Sequence, residues 1–179
     1  MWTDLGCKVK VLLKFTDGRV DYFEGGQHAE RLVRIAAADG SKHYFEGEKD
    51  QEYMTRVDWS DGKVYYYEAE NGAESLARVK HPCGTVVYYE GEQGAERRVR
   101  EVLPCGTVLY YEGEQGAERK ARIEVSGGPV CYFEGEKGAE QAVRLVHSDG
   151  KVGYFTGENE GGRLFRNRIV FDDGREEEF

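Results

Sequence analysis

The sequence predicts an all-β protein made of tandem antiparallel β-hairpins, because one short pattern recurs with a constant period. An adjacent aromatic pair, one glycine and one arginine each return every 22 residues, the glycine from Gly18 and the arginine from Arg34. The aromatic pairs begin at Tyr22, Tyr44, Tyr66, Tyr88, Tyr110, Tyr132 and Tyr154. A repeat this short cannot bury its own apolar side, so we expect neighbouring repeats to pack against each other.

Each repeat contains one tight turn between two segments rich in β-branched and aromatic residues. Asp-Gly pairs at 39–40 and 61–62 separate such segments, and this dipeptide is typical of a two-residue type I′ turn in a β-hairpin. The hairpins are predicted to join into one twisted or curled sheet, which the right-handed twist of strands allows to stay open or to close on itself. A parallel β-solenoid, with one coil per repeat, stays open as the alternative.

The chain is expected to form a single repeat array over residues 1–179, with a cap at each end. Residues 1–17 contain a strand-like segment without the arginine of the repeat and are the predicted N-terminal capping strand. Residues 18–157 hold the 22-residue repeats, and residues 158–179 depart from the pattern and form the predicted C-terminal cap. Caps of this kind protect the edge strands of an array.

The two faces of the predicted sheet differ in chemistry. With Asp61-Gly62 as a two-residue loop, Val57 lies opposite Tyr66 on an apolar, inward face. The other face then pairs an aromatic ring with a guanidinium in each hairpin, an arrangement typical of cation–π contacts. The predicted pairs are Tyr67 with Arg56, Tyr89 with Arg78, Tyr111 with Arg100, and Phe133 with Arg122. Because aromatic and arginine side chains are enriched in protein-binding surfaces, these residues are the candidate binding site.

Acidic residues recur in the segment between hairpins. Glu96 and Arg100 lie side by side if the Gly-Ala-Glu step is a helical turn, and on one strand face if it is extended. Repeated carboxylates and backbone carbonyls also suit calcium, which makes a metal site a minor hypothesis. Its ligands would be Glu90, Glu92, Glu112 and Glu114. The simpler interpretation is that these carboxylates balance the neighbouring arginines.

Composition and missing motifs argue against several functions. The net charge of -9 opposes binding to the phosphate backbone, so no nucleic acid partner is expected. No basic segment followed by an apolar run begins the sequence, and no apolar run approaches about 18 residues. We therefore expect no membrane span and a cytoplasmic location. No Cys/His spacing for zinc and no glycine-rich phosphate loop is present, so no cofactor is expected.

The string Tyr-Tyr-Glu-Gly-Glu at residues 88–92 and 110–114 resembles the Tyr-x-Gly-Glu signature of MORN-type repeats. The resemblance implies successive β-hairpins in one sheet and a scaffold-like role. The whole 22-residue repeat is also similar to tandem repeats of predicted algal proteins.

The leading prediction is a non-catalytic repeat protein that acts as a protein-binding or assembly scaffold. A protein partner is expected, and sheet edges offer a route to self-association. Repetition favours binding over catalysis, because a catalytic site needs one distinct environment. The alternatives are an enzyme with its site in the lumen or at the end of a closed array, and a calcium-stabilised surface repeat. The enzyme would use residues that break the repeat, such as Trp59, His81 or His147.

Overall fold

A computed structural model describes residues 9–26, 28–70, 73–158, 164–170 and 174–178. These residues form sixteen strands and no helix, so the fold class is all-β as predicted. None of them belongs to a helix of the length and apolarity that a membrane span requires. The strands are β1 Val9–Lys14, β2 Val20–Gly25, β3 Arg31–Ala36, β4 Lys42–Glu46, β5 Tyr53–Asp58, β6 Val64–Glu70, β7 Ala73–Lys80, β8 Val86–Glu90, β9 Arg97–Val102, β10 Val108–Glu112, β11 Arg119–Glu124, β12 Val130–Glu134, β13 Gln141–Val146, β14 Val152–Glu158, β15 Leu164–Val170 and β16 Glu176–Glu178.

The strand order confirms the prediction of consecutive antiparallel hairpins. The strands follow one another in sequence order, and the order ends in β1 and β16. Paired strands run antiparallel, as where Arg56 of β5 lies opposite Tyr66 of β6. The alternative of a parallel solenoid is therefore wrong. In this order β1 has β2 as its hydrogen-bonded neighbour, and β16 has β15.

The chain divides into two compact units. Unit 1 comprises the described residues up to Pro82 together with Glu90–Glu96, and unit 2 comprises Cys83–Tyr89 together with the described residues from Arg97 onward. The predicted single array with its caps at 1–17 and 158–179 stays a prediction. Much of the divergent segment on which the C-terminal cap was based, residues 159–163, lies outside the described residues.

The hairpin turns are one residue longer than predicted. Between β5 and β6, the Trp59 N–H donates to the Lys63 carbonyl at 2.9 Å and the Gly62 N–H donates to the Trp59 carbonyl at 3.0 Å. Three residues therefore form the loop, and the last of them, Gly62, has a φ of +84°. Glycine is favoured there because a three-residue hairpin loop needs a left-handed residue at this point. The same pair of bonds occurs at the turns that begin at Phe15, Ala37, Leu103, Val125 and His147.

The extra loop residue changes the predicted register. Arg56 lies opposite Tyr66 instead of Tyr67, and Val57 lies opposite Tyr65 instead of Tyr66. The predicted two-residue turn was therefore wrong, although Asp-Gly does mark the place of the turn. Since side chains alternate between faces, a shift of one residue changes which aromatic side chain shares a face with the arginine.

A β-bulge follows the first aromatic residue in six of the aromatic pairs. In unit 1, Tyr66 lies opposite Arg78 and Tyr67 opposite Leu76, so Ala77 is the additional residue. The same register shift occurs at the pairs that begin at Tyr22, Tyr44, Tyr110, Tyr132 and Tyr154. The arginine thus pairs with the first aromatic residue, and the second aromatic residue pairs with the residue two positions before the arginine.

The core of each unit is thin. Among the described residues the buried hydrophobic side chains are Val57, Val79 and Val87, with exposed fractions of 2%, 3% and 7%. Val57 and Val79 lie on either side of Tyr65 in one cross-strand row. Most other strand residues are half-buried. Cross-strand pairs therefore contribute much of the packing within each unit.

Some loops between hairpins contain a glycine that the backbone requires. Gly47 has a φ of +108°, and a Cβ atom built on it would lie 2.5 Å from the carbonyl oxygen of Gln51. The counterpart of Gly47 one repeat earlier is Gly25, where an added Cβ would lie 2.3 Å from the Ala29 carbonyl oxygen. Gly26 follows Gly25 in the same loop, and an added Cβ on Gly26 meets no heavy atom within 4 Å. Gly47 and Gly26 therefore differ in how strongly the backbone requires them.

We expect Gly47→Ala to lower the free energy of unfolding by about 1–3 kcal/mol, the usual cost of a strained backbone conformation. Gly26→Ala is the matched control and should change it little. The midpoint of urea denaturation, measured for both variants and the parent, checks this. Equal midpoints for the two variants would contradict the described loop geometry.

Candidate binding surface

Tyrosine and arginine side chains alternate across neighbouring strands on one face of each unit. In unit 1 the directly opposed residues run in the order Tyr22, Arg34, Tyr44, Arg56, Tyr66 and Arg78. In unit 2 they run in the order Arg100, Tyr110, Arg122, Tyr132, Arg144 and Tyr154. Directly opposed residues of antiparallel strands share a face. Tyr88, on whose ring Arg100 stacks at 4.0 Å, precedes Arg100 in unit 2. We call each series, with Tyr88 included in that of unit 2, the tyrosine–arginine row of its unit.

Most guanidinium groups in the rows stack on the tyrosine ring twelve residues earlier. The distances from guanidinium carbon to ring centroid are 3.7 Å for Arg34–Tyr22, 4.1 Å for Arg78–Tyr66, 4.0 Å for Arg100–Tyr88, 3.9 Å for Arg122–Tyr110 and 4.1 Å for Arg144–Tyr132. Arg56 is different, because its guanidinium turns to Asp58 and lies 5.2 Å from the Tyr44 ring. Each partly exposed stack contributes about 0.5–1 kcal/mol.

The structure brings only half of the predicted binding residues into these rows. The four predicted arginines belong to them: Arg56, Arg78, Arg100 and Arg122. The four predicted aromatic residues do not, since each directly follows a row tyrosine and neighbouring strand residues point to opposite faces. These are Tyr67, Tyr89, Tyr111 and Phe133. Three of the predicted pairs were wrong because the turn is one residue longer, so that Arg56, Arg100 and Arg122 lie opposite Tyr66, Tyr110 and Tyr132. The pairing of Tyr89 with Arg78 and a binding role for the four aromatic residues stay predictions.

The second aromatic residues in unit 2 have cationic partners that the sequence analysis missed. Arg98 lies over the Tyr111 ring at 3.6 Å, and the Tyr111 hydroxyl donates to Glu101 at 3.0 Å. Burial and the bond to Glu101 raise the pKa of Tyr111 to about 12. One repeat later, Lys120 lies over the Phe133 ring at 4.7 Å. A cation 13 residues before the aromatic residue is the signal that could have found both contacts.

Two positions show how a row holds a carboxylate. The Arg122 Nη2 lies 3.1 Å from Glu124 Oε1, and the Tyr110 hydroxyl donates to Glu124 Oε2 at 3.0 Å. In unit 1, Arg56 donates to both Asp58 oxygens, from Nε at 2.5 Å and from Nη2 at 2.8 Å. The Tyr44 hydroxyl donates to the same carboxylate at 3.3 Å. The hydrogen bonds to Asp58 raise the pKa of Arg56.

A second repeated contact links successive hairpins through glutamate. Glu118 accepts the Arg98 backbone N–H at 3.3 Å, and Glu140 accepts the Lys120 N–H at 3.0 Å. The same bond joins Leu32 N–H to Glu52, Met54 N–H to Glu74, and Leu76 N–H to Glu96. We call these five bonds the glutamate clasps. They satisfy strand N–H groups of the previous hairpin.

The glutamate clasps replace the predicted contact between Glu96 and Arg100. The second oxygen of Glu96 accepts the Gly94 N–H of its own loop at 2.9 Å, so both carboxylate oxygens bind backbone donors. Residues 92–95 form a turn, in which the Ala95 N–H donates to the Glu92 carbonyl at 2.9 Å, and no helix follows. The sequence showed the period of the glutamate, but its partner lies 20 residues earlier in another hairpin.

Backbone donors keep these carboxylates ionised. The Lys120 N–H is the main reason that the pKa of Glu140 is lowered. Backbone N–H groups also lower the pKa of Glu118. For Glu52 and Glu96, burial acts to raise the pKa, but the combined effect of several N–H donors is larger and the net shift is downward.

The glutamate clasps should make the stability of the fold depend on pH in the acidic range. A carboxyl group with a lowered pKa in the folded state stabilises the fold above its unfolded pKa, about 4.3 for glutamate, and that contribution is lost as pH falls through the folded value. We expect the melting temperature of the parent to drop as pH falls below about 4.3, and to drop less for a variant with Glu52, Glu96, Glu118 and Glu140 changed to Gln.

Exposed glutamates of the same loops supply the matched control. Changing Glu48, Glu92, Glu114 and Glu136 to Gln removes the same charge from carboxylates that accept no hydrogen bond in the described structure. Melting curves of the three proteins between pH 7 and pH 2.5 check the expectation. A control variant with the same flattened profile as the clasp variant would contradict it.

The hypothetical calcium ligands are not gathered into a site. Glu90, Glu92, Glu112 and Glu114 are all exposed, and Glu112 lies 3.2 Å from Arg119. Within the described ranges no three His, Cys, Asp or Glu residues lie close enough together to hold a metal ion.

We therefore expect calcium to leave the melting temperature unchanged. A site with a Kd of about 10 μM would add about 2.7 kcal/mol of stability at 1 mM calcium, a shift of several degrees. Differential scanning calorimetry with 1 mM calcium chloride and with 1 mM EDTA separates the outcomes. A higher melting temperature with calcium would revive the calcium hypothesis.

The residues on which the catalytic alternative depends do not line four depressions in the described part of the surface. These depressions have volumes of about 440, 390, 490 and 680 Å³, and Trp59, His81 and His147 line none of them. Trp59 packs edge-on against His43 and Tyr65, with ring centroids 6.4 and 6.2 Å apart. The catalytic alternative stays a prediction.

Comparison with known proteins leaves the family of the chain open. No protein-family model matches the chain, and no curated protein matches it. A similar solved structure is the G-box domain of the microcephaly protein CPAP, for which a role in centriole elongation has been suggested. The two chains share 16% identity with a TM-score of 0.43, over 94% of this chain and 97% of the other. Similarity at this level assigns neither family nor function.

Proposed function

We propose that the protein is a non-catalytic binding scaffold whose tyrosine–arginine rows hold a partner protein. The observation that carries this proposal is the repetition of one stack, such as Arg100 on Tyr88 at 4.0 Å and Arg144 on Tyr132 at 4.1 Å. These side chains are half-buried, so part of each stack faces solvent. Tyrosine and arginine are also the residue types that contribute most to binding energy in protein interfaces.

Repetition supports binding over catalysis. A catalytic group needs an environment that differs from that of its neighbours and shifts its pKa to suit the reaction. In the rows, the guanidinium lies 3.7–4.1 Å from the ring in five hairpins, and Arg56 is the exception at 5.2 Å. Such a surface offers one small contact many times.

The spacing of the contacts suits an extended partner. Within a unit, equivalent arginines lie two strand spacings apart, about 9–10 Å. A partner that engages one stack then meets the next as an intramolecular event, which raises the overall affinity without a new kind of contact. The scaffold role follows from this multivalency.

Photo-crosslinking tests which face binds. Benzoylphenylalanine is placed at Tyr132, in the row of unit 2, or at the adjacent Phe133, which points to the other face. In an extract of the source cells we expect the Tyr132 probe to crosslink to a protein partner, identified by mass spectrometry, and the Phe133 probe to give several-fold less of the same product.

The neighbouring pair Tyr66 and Tyr67 repeats the comparison in unit 1. Crosslinks that form mainly from Phe133 and Tyr67 would move the site to the second aromatic residues, as the sequence analysis predicted. The absence of any protein crosslink from all four positions would contradict a binding role for either face.

A further inference from the structure

We propose that the tyrosine–arginine rows bind an extended acidic segment of the partner protein, through Arg34 and Arg78 in unit 1 and through Arg100 and Arg144 in unit 2. This inference rests on the proposed function and adds the chemistry of the partner. Its basis is the geometry with which one tyrosine and one arginine bind a carboxylate of the chain at two positions. At four other positions the same tyrosine and arginine are present, but the chain supplies no carboxylate.

The template is the contact among Tyr110, Arg122 and Glu124. Arginine and tyrosine twelve residues apart each bind one oxygen of a carboxylate two residues after the arginine, at 3.1 and 3.0 Å. Asp58 has the same relation to Arg56 and Tyr44. Ionised partners make such hydrogen bonds stronger than neutral ones. One tyrosine and one arginine of a row are thus a receptor for a carboxylate.

The other four receptors lack the internal carboxylate. The residues two positions after Arg34, Arg78, Arg100 and Arg144 are Ala36, Lys80, Val102 and Val146. Yet the stacks of these arginines on their tyrosines, at 3.7–4.1 Å, match the 3.9 Å of Arg122 on Tyr110. The receptor is therefore formed whether or not the chain supplies an acid.

Unsatisfied donors mark two of these receptors. The Nε atoms of Arg34 and Arg144 are buried and have no hydrogen-bond partner in the described structure. In the filled receptor of unit 1, the corresponding Nε of Arg56 binds Asp58 at 2.5 Å. A buried donor without a partner costs free energy, which a ligand carboxylate at the guanidinium would recover in part.

The local charge favours an acid although the whole chain carries -9. Several of the loop glutamates are engaged by backbone N–H groups in the glutamate clasps, and Lys80 adds a second cation next to Arg78. At physiological salt, charges more than about 8 Å away are largely screened, whereas a carboxylate in contact with the guanidinium is not. A glutamate also follows each row tyrosine up to Tyr132 by two residues, as at Glu112, whose charge Arg119 balances at 3.2 Å. The attraction for a ligand acid therefore comes from direct contact with a guanidinium.

The spacing predicts the pattern of acids in the ligand. Arg34 on β3 and Arg78 on β7 are four strand spacings apart, as are Arg100 on β9 and Arg144 on β13, which corresponds to about 19 Å. An extended chain rises about 3.3 Å per residue, so two acids six residues apart span about 20 Å. Six is an even number, which also places both acids on the same side of the extended segment. The receptor between them, at Arg56 or Arg122, is filled by the chain's own acid.

Synthetic peptides test the inference on the full-length protein. A fluorescent peptide with two glutamates six residues apart in a neutral Thr/Gln background is compared with one whose glutamates are three residues apart and one with Gln at both positions. By fluorescence anisotropy in 50 mM NaCl we expect the six-residue spacing to bind about tenfold more tightly than either control peptide. Equal binding of all three would overturn the proposal.

A variant with added glutamates can block the proposed sites without changing the tyrosine–arginine stacks. Val102→Glu with Val146→Glu introduces an acid at the two positions that correspond to Glu124. The double variant keeps both arginines, and it should weaken binding of the peptide with glutamates six residues apart to unit 2. To read unit 2 alone, the experiment uses a background with Arg34→Gln and Arg78→Gln, whose own melting curve confirms folding. We expect a loss of at least about tenfold there, and unchanged affinity would count against the receptor.

Arg100→Gln with Arg144→Gln in the same background should abolish specific binding. Arg98→Gln, which removes a guanidinium that lies over Tyr111 on the other face, should leave binding within about twofold. A single-stranded oligonucleotide that binds more tightly than the peptide, with the same arginine dependence, would overturn the assignment to an acidic protein segment. Crosslinking from Tyr132 without any peptide affinity would refute this inference and leave the proposed function standing.

Discussion

The register of each hairpin is the constraint on which the repeated surface depends. A three-residue turn that ends in a glycine with positive φ, Gly62 at +84°, places Arg56 opposite Tyr66. A bulge then places Tyr67 opposite Leu76 on the next strand. Because side chains alternate between faces, a shift of one residue would separate the guanidinium from the ring on which it stacks. The turn and the bulge together decide which aromatic residue of each pair meets the arginine.

Two repeated contacts join neighbouring strands, the glutamate clasps and the tyrosine–arginine stacks. Because they use different side chains, the row arginines are not bound by the clasp glutamates. Backbone N–H groups bind the clasp carboxylates, as at Glu96, and lower their pKa. Tyrosine rings stack against the guanidinium groups, as Tyr88 does against Arg100. The chain therefore does not need its loop acids to neutralise its row cations. An acidic protein can in this way carry local cationic receptors on one face of a sheet.

Differences between repeats carry more functional information here than the repeated residues do. The tyrosine and arginine of each row are constant, whereas the position two residues after the arginine varies between acid, lysine and small apolar residues. Where it is Glu124, the receptor is occupied by the chain itself at 3.1 Å. Where it is Val146, the guanidinium of Arg144 has an Nε donor without a partner. One variable position thus selects which stacks remain open to a ligand.

The sequence by itself determined the antiparallel hairpins, the arginine column and the places of the turns, because a fixed period and Asp-Gly pairs are local properties that survive without a structure. It did not determine the register, since Asp-Gly occurs in hairpin turns of more than one length and the bulge at Ala77 has no distinctive residue. Nor did it reveal the glutamate clasps, whose two ends lie 20 residues apart. Only the tertiary structure decided these, because strand packing determines which residues of different hairpins come within hydrogen-bond distance.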